Sequence, residues 1–363
     1  MKFVTLQSNL NGMNAIQSPA NGWQPFAQIS LSDPFFDSLK SDYPGFEAWF
    51  ARKANENAFV QYQNGQLQAF LYLKEERDAV TDVTPPLPAA PRLKVGTFKI
   101  EAHNTKLGER FVKKIMDAAV VKGCGEIYVT IFPKHSGLIG LLERYGFALV
   151  GRKGEEGVWL KRLDAPHGDL LKDYPVIRPE GKRKFVLGIH PRFHTELFPD
   201  SILRNEENHA SRLVRDVSHT NGIHKAYICK MRGVEDLERG DILVIYRTND
   251  GQGAARYRSV VTSVCQVEEV RRVQDFGSFD EFAEYVKSRT IFSDEVLKNC
   301  YADRNMVVIR MIYNFALPRR ITQGTLKDQA QFSPDYWGFF PISDRQFRFI
   351  LQQSQVYEGF IID

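Results

Sequence analysis

The stretch FKIEAHNTKLGERFVKKIMDAA, residues 98–119, decides how the first half of the chain is interpreted. It runs from a β-like segment through a short polar loop into an amphipathic helix, with Phe111 and Ile115 on one face. Lys106 and Arg110 stand at the start of this helix, where the helix dipole favours anions rather than cations. Two interpretations are open: a bound anion reverses the balance, or the first turn is simply solvated.

The segments around this stretch predict a mixed sheet with flanking helices. Upstream, Pro44 divides a helical segment into two short helices, and Asn64-Gly65 predicts a β-hairpin. Downstream, EIYVTIF predicts a buried strand, SGLIGLLERYGF a helix, and ALVGRK with GVWLKRL a closing hairpin. The order αα-ββ-β-α-β-α-ββ predicts an α/β (α+β) domain over residues 25–163, which is a normal domain size.

Length and composition exclude some classes of protein. The chain has 363 residues, 43% hydrophobic and 25% charged, as expected for two globular domains. Its four cysteines are far apart and form no CxxC or Cys/His metal spacing, so we expect buried reduced thiols and no metal. Neither a signal peptide nor a membrane-spanning run is visible. A cytoplasmic protein is the expectation.

The second half has a different character. Residues 164–182 carry several prolines and charges and are predicted to be a linker. Beyond it, strand-like runs with one helical insert predict a small, partly open β-barrel over residues 183–363. Residues 1–180 hold 8 arginines and 14 lysines, whereas residues 181–363 hold 19 and 7. Arginine suits carboxylate, phosphate and base recognition. Compositional drift and structural ion pairs are the alternative.

The first domain resembles the GCN5-related N-acetyltransferase (GNAT) superfamily. In the family pattern Q/R-x-x-G-x-G/A, the segment H-N-T-K-L-G fits at its last glycine, Gly108. The segment HSGLIGLLERYGF resembles N-x-x-A-x-x-x-Y-E-K-x-G-F, in which Gly146 and Phe147 align. His135 falls on the Asn of that pattern, and Leu142 falls on the Tyr that protonates the departing thiolate in many members.

The resemblance implies an acetyl-CoA site. The pyrophosphate would lie at the helix start, the pantetheine along the strand, and the thioester near its end. The implied cofactor-binding residues are Phe98, Lys99, Ile100, His103, Lys106, Leu107, Gly108, Glu109, Arg110 and His135. The implied catalytic candidates are Glu101 as a base, Tyr145 as an acid and His135 as a relay. The alternatives are a solvated carboxylate, a packed aromatic ring and a helix cap.

The second domain resembles the ASCH family of PUA-like β-barrels, because FVLGIHPRFHTELFPDS has that family's strand, proline turn and helix. The G-x-K-x-x-E-x-R signature of many members is not visible. The family implies a nucleic-acid reader, and the sequence predicts that Arg256 and Arg258 share one face of a strand. A solvated strand face is the alternative. The candidate nucleic-acid residues are Arg192, Arg247, Arg256, Arg258, Arg319 and Arg320. His190 and His194 without a third ligand would be a poor metal site.

Taken together, the two resemblances imply an acetyl-CoA-dependent N-acyltransferase. Its second domain would present an RNA or ribonucleoprotein substrate, and the identity of the acyl-acceptor amine is left open. One alternative is a catalytically weak acyl-CoA-binding module coupled to a nucleic-acid-binding domain. Another is an acetyltransferase that acts on a protein or a small-molecule amine.

Overall fold

A computed structural model describes residues 21–101, 106–201 and 222–362. Contacts between Cα atoms divide the chain into a first unit that ends at Phe70 and a second unit that begins at Leu71. The domain limits predicted from sequence, 25–163 and 183–363, are a different kind of division. They stay a prediction.

The first unit contains two strands, two short helices and the start of a third strand. Its elements are β1 (Gly22–Pro25), α1 (Asp37–Asp42), α2 (Phe46–Arg52), β2 (Asn57–Gln63) and the first residues of β3 (Gln66–Glu76). β1 pairs antiparallel with β2. The predicted pair of short helices and the predicted hairpin are both present. Asn64 and Gly65 have φ values of 51° and 79°, the left-handed pair that a tight hairpin turn requires.

The second unit begins with a mixed sheet, which we call the first sheet. Its elements are β4 (Arg92–Ile100), α3 (Leu107–Val121), β5 (Glu126–Ile131), α4 (Ser136–Arg144), β6 (Ala148–Lys153) and β7 (Glu156–Arg162). From β3 onward the strand order is β3-β4-β5-β7-β6, and β4 runs parallel to β5. Each of these strands and helices is predicted by the sequence. Gly123, with a φ of 66°, follows the end of α3, where a left-handed glycine commonly ends a helix.

The same unit holds a second mixed sheet. Its strands are β8 (Lys184–Ile189), β9 (His224–Cys229), β10 (Ile242–Arg247), β11 (Val260–Arg272), β12 (Val307–Thr322) and β13 (Phe339–Pro341). Their order is β13-β8-β10-β11-β12-β9, with β8 parallel to β10. This order has β13 and β9 at its two edges, so within the described residues the sheet is not a closed barrel. The α+β class is confirmed, and the PUA-like barrel is not.

Helices pack around this second sheet. They are α5 (Pro191–Leu197) and the helices Phe279–Lys287, Asp294–Ala302, Gln323–Ala330 and Asp344–Gln353. The sequence predicts a helix after the proline turn, one helical insert at SFDEFAEYVKSRTIFSDEVLKNC and a final helix at SDRQFRFILQQ. It does not predict Gln323–Ala330, which begins where the Thr322 side chain accepts a hydrogen bond from the Thr325 amide. Of the helices that the structure describes, none combines the length and apolarity of a membrane span.

One predicted strand segment is wrong. Residues Ala255–Arg258 form a short helical turn, and β11 begins only at Val260. Arg258 folds back onto Asp250, with 2.6 Å between its Nε and Oδ1, and this local ion pair favours a compact turn over an extended strand. Arg256 and Arg258 therefore do not share a strand face.

The joining segment, residues 164–182, is packed into the second unit. Tyr174, Val176 and Ile177 are buried, and the amide group of Asn314 donates to the Pro175 carbonyl at 3.2 Å. The sequence predicts a linker here because prolines and charges dominate this segment. Its role as a domain boundary stays a prediction. All four cysteines are free and buried, as expected.

Candidate functional site

β4 and β5 pair along only part of their length. Their parallel ladder runs from Arg92 opposite Glu126 to Val95 opposite Val129. β4 then continues to Ile100, while the last two residues of β5 pair with β7 on the other side. Among the described residues, positions 96–100 of β4 therefore lie beyond the ladder with β5. We call this region the β4–β5 opening. A strand edge of this kind can accept the amide groups of a ligand.

α3 begins just after β4, with Lys106 in the N-cap position. The side chain of Lys106 does not cap the helix; its Nζ donates to Oε1 of Glu109 at 3.0 Å. Glu109 is buried, and its Oε2 accepts a hydrogen bond from the Ile223 amide at 3.2 Å. The chain therefore places an acid of its own in the first turn, which favours a negative charge.

Gly108 has a structural reason to be glycine. A Cβ atom at this position would lie 3.0 Å from Cδ2 of Leu141 on α4. The absence of a side chain lets the first turn of α3 approach α4 closely. This explanation stands beside the predicted one, in which Gly108 lets a pyrophosphate approach the helix.

The end of β4 carries the residues predicted to lie beside the thioester. Phe98 stacks on Phe111 of α3, with ring centroids 5.9 Å apart and an interplanar angle of 8°. Ile100 is half-buried. Glu101, the candidate base, is exposed, and its Oε1 lies 2.6 Å from the Nζ of Lys99. Residues 106–110 form the N-cap and first turn of α3, whereas His103 lies outside the described residues.

Tyr145 is packed in the interior rather than presented to a reactant. Its side chain is 0% exposed, and its ring meets that of Tyr174 edge-on at a centroid distance of 5.7 Å. Burial, together with the negative charge of Glu109, raises the pKa of the Tyr145 hydroxyl far above its usual value. These contacts favour the packed-aromatic alternative that the sequence left open. His135 is exposed at the N-cap of α4, and its side chain does not cap the helix.

Sequence reasoning missed a buried lysine near Tyr145. Lys161 on β7 is 1% exposed, and its Nζ donates to the carbonyls of Tyr145 and Lys172 at 2.7 and 2.5 Å. Burial lowers its pKa to about 7. The alternation in GVWLKRL gives no signal for this burial, because a lysine next to an arginine at a strand end is typical of a solvated edge.

Two of the six candidate nucleic-acid arginines are held by acids of the chain. Arg256 donates to Asp328, and Arg258 makes two hydrogen bonds to the carboxylate of Asp250. The hydrogen bonds from Arg258 stabilise the ionised carboxylate of Asp250, which lowers its pKa. These pairs support the structural alternative that the composition left open.

The other four arginines are spread over different environments. Arg247 is buried, and Arg320 donates from Nη1 to a carbonyl of its own strand. Arg192 is exposed and lies over the ring of Phe193 at 4.3 Å, and Arg319 is also exposed. The structure thus leaves Arg192 and Arg319 as the exposed members of the set without an acidic partner among the described residues.

The two histidines near Arg192 have separate structural roles. Nδ1 of His190 accepts a hydrogen bond from the Arg192 amide at 3.4 Å and caps α5. Nε2 of His194 lies 2.8 Å from Oγ1 of Thr262, and burial lowers the pKa of His194 to about 3. Across the described residues, no three metal-binding side chains come together.

Comparisons with known proteins find only distant likenesses. No protein-family model matches the chain, and no curated protein does. The ASCH protein of Zymomonas mobilis is 10% identical and covers 47% of this chain and 94% of its own, with a TM-score of 0.31. Human THYN1, solved with 5-methylcytosine-containing DNA, is 11% identical and covers 48% and 98%, with a TM-score of 0.28. The Campylobacter jejuni N-acetyltransferase PseH is 10% identical and covers 40% and 99%, with a TM-score of 0.27.

ASCH proteins and N-acetyltransferases are thus both among the similar solved structures. At TM-scores below 0.5 these likenesses carry no argument about function. A functional proposal therefore has to rest on the geometry of the candidate site.

Proposed function

We propose that the first sheet with its helices is an acetyl-CoA-dependent N-acyltransferase domain, and that residues 183–363 present an RNA or ribonucleoprotein acceptor. The β4–β5 opening is the observation that carries the first part. The second part rests on the arginine-rich composition and on the exposed Arg192 and Arg319.

Each portion of the cofactor would meet a different segment of the chain. Backbone groups of residues 96–100 would pair with the pantetheine amides, as an added strand pairs with a sheet edge. Backbone amides of residues 107–110 would face the pyrophosphate, with Lys106 and Arg110 adding charge-assisted contacts. Glu109 opposes this binding, because its carboxylate adds negative charge to the same turn. Its contact with Lys106 reduces that repulsion.

Acetyl transfer would need little chemistry from the protein. Bound acetyl-CoA supplies an activated thioester, and the opening would hold it near Glu101. Glu101 would take the proton of the acceptor amine, so that the nitrogen can attack the carbonyl carbon while the carbon–sulfur bond breaks. Positioning alone is a large part of catalysis in such a transfer.

Amide hydrogen exchange tests this proposal within one strand. Saturating acetyl-CoA should slow exchange in residues 96–100, whose edge the ligand would cover. Residues 92–95 are the matched control, because their ladder with β5 already exists. Coenzyme A should bind at least about tenfold tighter than pantetheine, since charge-assisted phosphate contacts are stronger than neutral ones. Unchanged exchange in residues 96–100 at saturation would contradict the proposed site.

Burial of two side chains favours a second candidate, acyl-CoA binding without transfer. Leu142 aligns with the tyrosine that acts as the general acid in many members of the family. Both Leu142 and Tyr145 are buried. Neither gives the departing thiolate a hydroxyl donor. Release of free thiol from acetyl-CoA in the presence of amines separates the candidates. Protection of residues 96–100 with no amine-dependent thiol release would establish the binding module.

A further inference from the structure

The helix Asp344–Gln353 has one apolar face and one basic face. Phe347 and Ile350 are buried, so packing fixes how the helix is turned about its axis. Arg345 and Arg348 are both exposed. They are three positions apart, which makes them neighbours on a helix, with about 5–6 Å between their Cβ atoms. The helix therefore presents two neighbouring positive charges to solvent.

The structure of the helix does not explain these two charges. Among the described residues, neither arginine forms an ion pair. Asp344 precedes Arg348 by four positions, the spacing of a helical ion pair, but its Oδ1 lies 2.6 Å from Nζ of the buried Lys184. Arg345 lies in the first turn, where the helix dipole favours negative charge. Neighbouring like charges on one helix also repel each other.

Two further cations lie beside this helix. The Arg319 amide donates to the Ser354 carbonyl at 3.1 Å, which places this exposed arginine at the C-terminal end of the helix. Toward the other end, Nε2 of Gln346 donates to the carbonyl of Ala330 at 3.4 Å. Lys327, three positions before Ala330 on the neighbouring helix, is exposed. We call this set the basic strip; it consists of Arg319, Lys327, Arg345 and Arg348.

The neighbouring helix does not neutralise the basic strip either. Asp328, the acid next to Lys327, accepts a hydrogen bond from Arg256. Nζ of Lys327 lies 5.6 Å from the ring centre of Trp337, and such a contact leaves the positive charge in place. Within the described part of the chain, the four cations of the strip have no carboxylate partner of their own. The strip is therefore a local excess of positive charge.

The charges of the basic strip are spread along the helix rather than gathered around one point. Arg345 is nine positions before Ser354, the residue that bonds to Arg319, and nine residues of helix span about 14 Å. A small anion can contact only one or two of these cations. A strand that carries a phosphate at every nucleotide can contact several, and each contact releases bound counterions. The spacing therefore favours a nucleic-acid strand over a single anion.

The proposed reaction indicates which kind of nucleic acid would bind. The acyl acceptor is an amine, and enzymes that act on a nucleic-acid base cannot reach it inside a duplex. They use single-stranded substrates or bases that are turned out of the stack. Contacts between arginine and phosphate suit such a substrate, because they hold the backbone and leave the bases free.

We propose that the basic strip binds the phosphates of a single-stranded RNA, which is the acceptor of the proposed acyl transfer. The inference rests on the proposed function, because the strip itself specifies phosphates and the proposed acceptor specifies RNA. The strip positions the strand without reading its sequence, since phosphates are the same at every nucleotide.

Fluorescence anisotropy of a labelled single-stranded RNA of mixed sequence, titrated with the full chain at several salt concentrations, tests the proposal. Arg345→Gln combined with Arg348→Gln should weaken binding by at least about tenfold at low salt. The slope of log K against log salt should fall by about 1.4, because each phosphate contact on a single strand contributes about 0.7. Arg345→Lys combined with Arg348→Lys keeps both charges and should keep the slope. The matched control is Lys287→Gln combined with Lys298→Gln, at exposed positions of the helical insert.

The outcomes separate the basic strip from the proposed function. Equal affinity and slope in the wild type and the glutamine pair would overturn the strip, while RNA binding itself would survive. No RNA binding by the wild type would overturn both the strip and the RNA acceptor, and thiol release from acetyl-CoA would still test the transfer.

Two further results would also overturn the proposal. One is tighter binding of duplex DNA or polyglutamate than of RNA, lost in the glutamine pair, which would assign the strip to another partner. The other is a clear fall in the melting temperature of the RNA-free glutamine pair, which would assign the two arginines a structural role. We expect that melting temperature to stay unchanged, because substitutions at exposed positions without partners have small effects.

Discussion

The two ends of β5 are built in opposite ways. At its first residue, Glu126 accepts from Nε of Arg92 at 2.6 Å and from Nε of Arg162 at 3.2 Å. Toward its other end the ladder with β4 stops at Val129, and β4 continues to Ile100 without pairing with β5. The closed end has charges paired across three strands. The open end has an ion pair between partly buried Lys99 and exposed Glu101, and a strand edge.

The difference separates stability from ligand response. Arg92 is only 1% exposed, so its charge needs the partner that Glu126 provides. Removing one member of a buried pair leaves an uncompensated charge, which costs far more than breaking an exposed pair. Mutations at the closed end should therefore change the free energy of unfolding, and ligands should change hydrogen exchange at the open end.

The largest effect is expected from Glu126→Ala. It leaves the buried guanidinium of Arg92 without its carboxylate, so the free energy of unfolding should fall by about 3 kcal/mol. Urea denaturation of the variant and the wild type measures this difference. The m-value should stay the same, because the surface exposed on unfolding does not change.

Arg162→Ala is the matched control for that measurement. The side chain of Arg162 is 59% exposed, although it contacts the same carboxylate. Its loss should cost less than about 1 kcal/mol. Equal losses in the two variants would contradict the view that burial of Arg92, rather than the number of ion pairs, makes the closed end stable.

A second prediction concerns the pH dependence of stability through Lys161, which lies opposite Ile127 near the closed end. Its pKa falls from an ordinary 10.5 to about 7 in the folded chain. Between these values the unfolded state holds more protons than the folded state. Stability therefore rises with pH across this window, by up to about 1.4 kcal/mol per unit from this group.

Lys161→Met isolates this contribution, because methionine fills a similar volume without a titrating group. Denaturation at several pH values between 7 and 10 should show a smaller slope of stability against pH in the variant. The same slope in both proteins would mean that Lys161 stays protonated when buried, held by the carbonyls of Tyr145 and Lys172.

Much of the first sheet could be predicted because its signals are local. Pro44, Asn64-Gly65 and the apolar face of α3 each act within a few residues, and the structure has the helices and hairpin that they indicate. The candidate site around residues 98–110 follows from the same strand-loop-helix pattern. Periodicity and turn chemistry carry this information without any knowledge of the rest of the fold.

What could not be predicted depends on contacts between distant residues. Lys161 is buried because it donates to carbonyls from two other segments. Glu109 meets the amide of Ile223, which is 114 positions away in sequence. In each case a residue far away in sequence determines whether a charged side chain is buried. The local sequence around that side chain does not predict it.

The smallest change in stability is expected at the open end, from Glu101→Gln. The Glu101 side chain is 45% exposed and stays solvated without its partner, so the free energy of unfolding should change by no more than about 0.5 kcal/mol. If Glu101 is the base of the proposed transfer, amine-dependent thiol release should fall by about a hundredfold while acetyl-CoA affinity stays the same. Lys99→Gln breaks the same ion pair and keeps the carboxylate, so it is the matched variant. Because it retains the proposed base, it should release thiol much faster than Glu101→Gln, and equal losses in the two would assign the effect to the ion pair instead.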